Sequence, residues 1–317
     1  MDHNSSEALP TLPYTRRLRR GHRRVVRDRL SSALMLTLVV LSFAFVIAMG
    51  VGLYLKARPL LADTSIWQLL TAREWKPSQN RFGFFPFIAG TLSVTFIALV
   101  VALPLSFFTA VYLTEYARSW VKRLVYPALD ILASLPSVIY GVWGTLLVVP
   151  LISKHWAPHF VEFSSGYTVL AAGLVLCVMI LPLLVSLFVE IFSTVPKGLR
   201  EASTALGATK WQTTKKVVTR ASLSGIFAAV VLAVSKAMGE TIAVLMVCGN
   251  MPQVPHSLFD PCYPLPALLA NNYCEMLSVP RYEAALMFSA LILFVVVLLF
   301  NLISRIILNR VKSQSNL

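Results

Sequence analysis

The chain has 317 residues, of which 57% are hydrophobic and only 13% charged, with a mean hydropathy of +0.72 and a formal net charge of +14. So few charges cannot cover the surface of a soluble domain of this size, which excludes a water-soluble globular protein and points to lipid as the solvent. The positive balance does not indicate nucleic acid, because no aromatic–basic binding surface accompanies it.

Residues 1–29 are polar, basic and proline-containing, and read as a disordered basic tail ending at Arg29. Residues 30–55 carry no charge. A bilayer core takes roughly 20 apolar residues per helix, so this is the first span. The run is longer than a signal-peptide core and no small-x-small cleavage site follows, so it reads as a retained anchor. Residues 56–86 then form an external segment with Trp67, Trp75, Phe82, Phe84 and Phe85. Aromatics there suit a helix or loop lying at headgroup level.

Further uncharged windows follow at 82–114, 131–153, 163–189 and 284–304, and 221–259 is broken only by Lys236 and Glu240. Six spans are predicted, near 31–55, 87–112, 125–152, 167–192, 223–248 and 284–308. They are helices rather than barrel strands, since the runs are continuously apolar and do not alternate. Pro59, Pro77, Pro86, Pro196, Pro255 and Pro280 are expected in connections. Of the 28 Lys and Arg residues, twenty lie before the first span, around Arg118–Arg123, between Lys197 and Arg220, and at the C-terminus. The alternate loops hold seven, and Lys236 is the remaining one. The positive-inside rule therefore puts both termini in the cytoplasm.

Cys177 and Cys248 fall within predicted spans and read as packing residues. Cys262 and Cys274 share one external loop, where a disulfide between them and two free thiols are equal alternatives. Pro104, Pro136 and Pro182 lie at depth, where a proline removes a helical hydrogen bond. Around Pro136 the stretch 133–144 has two readings of equal weight. One is irregular packing. The other is a break beside a pathway, with the hydroxyls of Ser134, Ser137 and Tyr140 facing a polar solute.

The most informative connection is 195–211, Val-Pro-Lys-Gly-Leu-Arg-Glu-Ala-Ser-Thr-Ala-Leu-Gly-Ala-Thr-Lys-Trp. Pro196 suits a helix start, Glu201, Ala202 and Ala205 continue it, and Gly207 turns it into a second helix. Such a knob can seat in a partner's cleft. The run Glu201-Ala202-Ser203-x3-Gly207-x9-Val217 resembles the "EAA" loop of ABC importer permeases, which docks on the nucleotide-binding subunit. The family tail Ile-x-Leu-Pro reads Val217, then Thr219 and Arg220, so the motif's core stands and its end is altered.

Lys236 and Glu240 interrupt the fifth span four residues apart, which on a continuous helix places them on one face. An ionisable group at mid-bilayer costs about 2.5–3.5 kcal/mol on insertion scales. Such residues line a solute route or form an internal salt bridge, and the route is the favoured reading. A cation with a competing carboxylate can hold an oxyanion transiently and release it. Asp130 adds a second interior acid or sits near the interface, and Glu190 lies at a membrane end.

Residues 236–244, Lys-Ala-Met-Gly-Glu-Thr-Ile-Ala-Val, resemble the Arg-Ala-(Leu/Ile)-Gly-Glu-Thr signature of phosphate importer permeases, PstC type. Trp143, residues 74–77, 90–95 and 267–272 add to the likeness, which covers about residues 67–308. Lys236 stands where the family has Arg, a point charge in place of a bidentate fork.

This resemblance implies an all-α, six-span bundle of the type I ABC importer permease (MetI-like) fold. The expected organisation is a basic tail (1–29), first transmembrane helix (30–55), periplasmic segment (56–86), type-1 permease domain (87–308) and cytoplasmic tail (309–317). It also implies a bacterial inner-membrane location, phosphate as cargo, a second permease subunit (PstA type), an ATP-binding subunit dimer (PstB type) and a periplasmic phosphate-binding protein (PstS type). The external 249–282 loop and the 56–86 segment are candidates to contact that receptor. No catalytic residue, metal or cofactor is expected, and without a phosphate-binding Gly-Lys-Ser/Thr loop ATP is hydrolysed by a partner. The rival readings are a permease for molybdate or sulfate, a secondary transporter without an ATPase, and a sensory or scaffold subunit without transport.

Overall fold

The computed structural model describes residues 14–273 and 280–315, with side chains described for 28–273, 281–303 and 305–306. Two compact units emerge, residues 1–52 and 53–317. The described residues of the first unit belong to α1 (Tyr14–Asp63). Its apolar side chains from Leu30 to Val51 are exposed, as a lipid-facing span requires. The helix begins at Tyr14, where the sequence suggested a disordered tail. Arginine is a strong helix former, and extension of an existing helix costs no new nucleus. Pro59 also lies inside α1 rather than in a connection.

In the second unit, α2 (Ile66–Thr71) leads to a two-stranded hairpin, β1 (Trp75–Lys76) and β2 (Arg81–Phe82), paired antiparallel. The bundle follows: α3 (Phe85–Tyr116), α4 (Ser119–Ser134), α5 (Ser137–His159) and α6 (Val169–Ser193). Then come a short α7 (Lys197–Ala205), α8 (Lys210–Ala221), α9 (Leu223–Gly239) and α10 (Ile242–Leu245). The last two helices are α11 (Leu265–Asn272) and α12 (Pro280–Ser315). Among the described residues, five helices are long and apolar enough to cross a membrane, or six if the bent α8–α9 pair counts as one span.

The third predicted span, 125–152, is corrected. Leu135 and Pro136 are extended, so α4 ends at Ser134 and the membrane-length helix starts at Ser137. Proline at 136 disfavours helix at the residue before it, so the chain breaks within the 133–144 stretch.

α3 and α6 form the centre of the bundle. They approach closely at Gly173, where a Cβ would stand 2.5 Å from Ile97 Cγ2, and the small residues Ala98, Ala102, Ala171 and Ala172 are buried in the same core, as in packed membrane helices. α4 lies on α6 through Leu129 and Val185, and α9 packs against α3, α6 and α12.

A second core fills one end of the bundle. Trp75 meets Phe82, Phe84, Phe87 and Tyr282 edge-on at 4.9–6.0 Å. Of the 56–86 aromatics, Trp67 is 74% exposed and Phe85 half-buried. Phe82 and Phe84 are buried. Edge-to-face ring packing with a hydrophobic payload outweighs leaving those rings at an interface. Lys56 and Asp63 pair with Glu283 and Arg281 at 2.8 and 2.7 Å, joining the end of α1 to the start of α12.

Candidate functional site: an exposed elbow and two facing helix breaks

The elbow is α7, a turn and α8. Past Leu206 the chain closes α7 with a paired cap: Gly207 N–H donates to Thr204 O at 2.9 Å and Ala208 N–H to Ser203 O at 3.2 Å. This Schellman closure needs the left-handed φ of +83° at Gly207, which only glycine adopts without strain. Thr209 then starts α8 with a capping box, its Oγ1 accepting from Gln212 N–H and its own N–H donating to Gln212 Oε1. Ser203 and Thr213 share a hydroxyl hydrogen bond of 2.9 Å that ties the two arms.

Caps at both turns make the elbow rigid, while its outer face stays bare. Glu201, Ala202 and Gly207 are exposed, Ser203 is half-buried, and Leu206 at the tip is 89% exposed. Leu199 and Trp211 are exposed beside it. A stiff apolar knob with one carboxylate suits insertion into a partner's cleft.

The base of the elbow holds a residue that sequence reading used only for charge counting. Arg200 donates from Nε and Nη2 to Glu115 Oε1 at 3.2 and 3.0 Å, from Nη1 to Val195 O at 2.6 Å, and from Nη2 to Phe192 O at 2.7 Å. The ion pair is 21% and 15% exposed. Glu115 ends the apolar run of α3, and nothing in spacing alone pairs it with a residue 85 positions away. α8 then meets α9 at a 71° bend at Ser222, so the altered Thr219–Arg220 tail still turns the chain sharply. Thr219 Oγ1 returns to Thr214 O at 3.0 Å within α8.

The second region comprises two interruptions inside the apolar windows of the sequence. One is Leu135–Pro136 between α4 and α5. The other follows Gly239, where Glu240 is extended (φ −72°, ψ 128°) before α10. α5 and α10 are packed together: a Cβ on Gly141 would stand 3.3 Å from Ala243 Cα and 2.5 Å from Met246 Sδ, so any side chain there would have to displace Met246. Thr145 Oγ1 donates to Met246 O at 3.3 Å across the same contact. The two breaks thus sit on neighbouring elements, and unwound backbone at membrane depth is tolerated only inside protein or beside a water-filled cavity.

Lys236 is exposed on α9 and Glu240 half-buried at its end. No ion pair joins them among the described residues. The continuous helix that would have put them on one face ends at Gly239, between them. Ser137 is half-buried at the start of α5, and Asp130 is exposed on α4. Two of the proposed hydroxyl donors are committed elsewhere. Tyr140 is buried and its Oη donates to Leu132 O at 2.6 Å, bracing α5 to α4 across the break, while Ser134 Oγ donates to Ile131 O. Of the cysteine pair, Cys262 is buried and Cys274 lies outside the described residues.

A polytopic helical bundle with broken spans and a capped, protruding elbow is the architecture of a transport permease. The chain belongs to the family of binding-protein-dependent transport system inner membrane components, whose model matches residues 102–313. It is 36% identical over 262 residues to the phosphate transport system permease protein PstC of Pasteurella multocida, covering 78% of this chain and 81% of that protein. It is 35% identical to the probable ABC transporter permease protein YqgH of Bacillus subtilis, over 90% and 92% of the two chains. A chain of the bacterial alginate ABC transporter bound to its pentasaccharide-loaded periplasmic protein superposes with a TM-score of 0.60 at 14% identity, covering 89% of this chain and 94% of that one, a likeness of fold.

Proposed function

We propose that this chain is the permease subunit of an ATP-driven importer that moves inorganic phosphate across the bacterial cytoplasmic membrane. The observation that carries the cargo is the 36% identity to a PstC phosphate permease along most of both chains. The observation that carries the drive is the rigid, exposed elbow at Glu201–Gly207.

In this reading both termini and the elbow face the cytoplasm, where twenty of the 28 basic residues lie in sequence. The elbow seats in a PstB-type ATPase dimer. A PstA-type permease completes the pathway, and a PstS-type receptor delivers phosphate to the opposite face, at the 56–86 and 249–282 segments. The domain organisation is that given by the sequence, with the permease domain at 87–308. Lys236, Glu240 and Ser137 are the polar groups available to an oxyanion at the facing breaks, and Asp130 is a further acid on the adjoining helix. Lys236 attracts the anion and Glu240 competes for the cation, which favours passage over retention.

The test is radiolabelled phosphate uptake in a strain lacking this chain. Rescue by the intact gene with competition from phosphate, and none from molybdate or sulfate, is the expected result. Uptake that follows molybdate or sulfate instead would assign a different oxyanion, and no rescue at all would leave a non-transporting subunit.

A further inference from the structure

Cys248 and Cys262 meet in the loop that follows α10, and neither was paired with the other from sequence. Cys262 N–H donates to Cys248 O at 2.9 Å, and Gly249 and Cys262 form a parallel backbone bridge. Both side chains are fully buried. The thiol of Cys248 also reaches Asn250 Oδ1 at 3.0 Å. Asn250 is itself fixed in a left-handed turn (φ 53°) by a bond from Nδ2 to Leu245 O at 2.9 Å. Backbone pairing thus holds the two cysteines as neighbours, with their backbones directly hydrogen-bonded, at a separation a disulfide can span. A pair of buried cysteines in an outward-facing loop meets an oxidising compartment during folding.

We propose that Cys248 and Cys262 form a disulfide, and that Cys274 is not the partner of Cys262. The reaction joins two thiols through one S–S bond and releases two protons and two electrons. The acceptor is the disulfide of a thiol–disulfide oxidoreductase of the outer compartment, which is reduced to a dithiol. One thiolate attacks that disulfide, and the second cysteine displaces it from the mixed disulfide before the loop closes over both. The product would pin the thirteen-residue segment 249–261 at both ends. That segment covers the start of α6, through Val169 N–H to Asp260 O at 2.9 Å and Leu170 N–H to Leu258 O at 3.0 Å. It also forms one wall of an open polar cavity of about 450 Å³, lined by Arg73, Gln253, His256 and Asp260. The bridge would therefore stiffen an outward rim.

The proposal rests on the outward placement of this loop, and that placement is tested separately: a cysteine introduced as Trp67→Cys, on the same side, should react with a membrane-impermeant maleimide in intact cells. For the bridge, membranes are denatured in N-ethylmaleimide without reductant and digested with trypsin and chymotrypsin. Trypsin alone leaves 237–281 as one peptide, and chymotrypsin cuts it between the cysteines. The expected result is a Cys248–Cys262 linked species, with maleimide on Cys274, and two further maleimide adducts only after reduction. Maleimide on both Cys248 and Cys262 without reductant overturns the proposal, as does a Cys262–Cys274 link. If Trp67→Cys is silent outside, the topology fails rather than the pairing.

Discussion

The guanidinium of Arg200 lies 3.0 Å from the carboxylate of Glu115 while donating to the carbonyls of Phe192 and Val195. One side chain therefore fastens the elbow helix α7 to the ends of α3 and α6 together. Positive charge at the C-terminal carbonyls of α6 is also the sign that a helix dipole favours. Arg200→Ala leaves Glu115 largely buried without its cation, a loss on the order of 2–3 kcal/mol. Uptake should fall at least about tenfold, the factor that 1.4 kcal/mol represents, while membrane insertion stays normal. The exchanged pair Glu115→Arg with Arg200→Glu should recover part of it. Uptake equal to wild type in Arg200→Ala would show that the latch transmits nothing.

Gly207 is next. A Cβ there would touch nothing within 4 Å, so the cost of Gly207→Ala is the left-handed φ alone, about 1–2 kcal/mol. Gly207→Arg adds bulk to the exposed face. The alanine variant should retain partial uptake and the arginine variant none, with loss of ATPase co-purification in the second. Glu201→Lys should behave as Gly207→Arg without any strain, which separates charge from backbone. Normal uptake in both Gly207→Arg and Glu201→Lys would remove the elbow from coupling.

Lys236 and Glu240 do not pair, so neither holds the helix for the other. Lys236→Ala and Glu240→Gln should each block phosphate uptake with the thermal stability of the extracted protein unchanged, and Lys236→Arg should retain transport. Loss of stability in parallel with transport would instead make the two residues structural.

Tyr140→Phe separates brace from pathway. Its hydroxyl serves Leu132 O across the α4–α5 break, so its removal should lower stability by about 1 kcal/mol and leave the affinity for phosphate unchanged. A changed affinity at constant stability would return Tyr140 to the solute route.

Sequence alone determined the solvent, the number of hydrophobic windows, the elbow and the charge at 236 and 240. Each is local: a run length, a loop motif or an ionisable residue in an apolar window can be read without knowing its neighbours. Tertiary structure decided the rest. Uncharged sequence did not show that the third span begins at Ser137, because the stop is a single Leu-Pro step. It could not separate Tyr140 and Ser134, whose hydroxyls serve backbone carbonyls, from Ser137. Nor could it pair Glu115 with Arg200, or Cys248 with Cys262. Both contacts depend on where distant segments are brought by the packing of α3 and α6 and by the backbone bridge after α10, and such proximity is a property of the fold rather than of spacing along the chain.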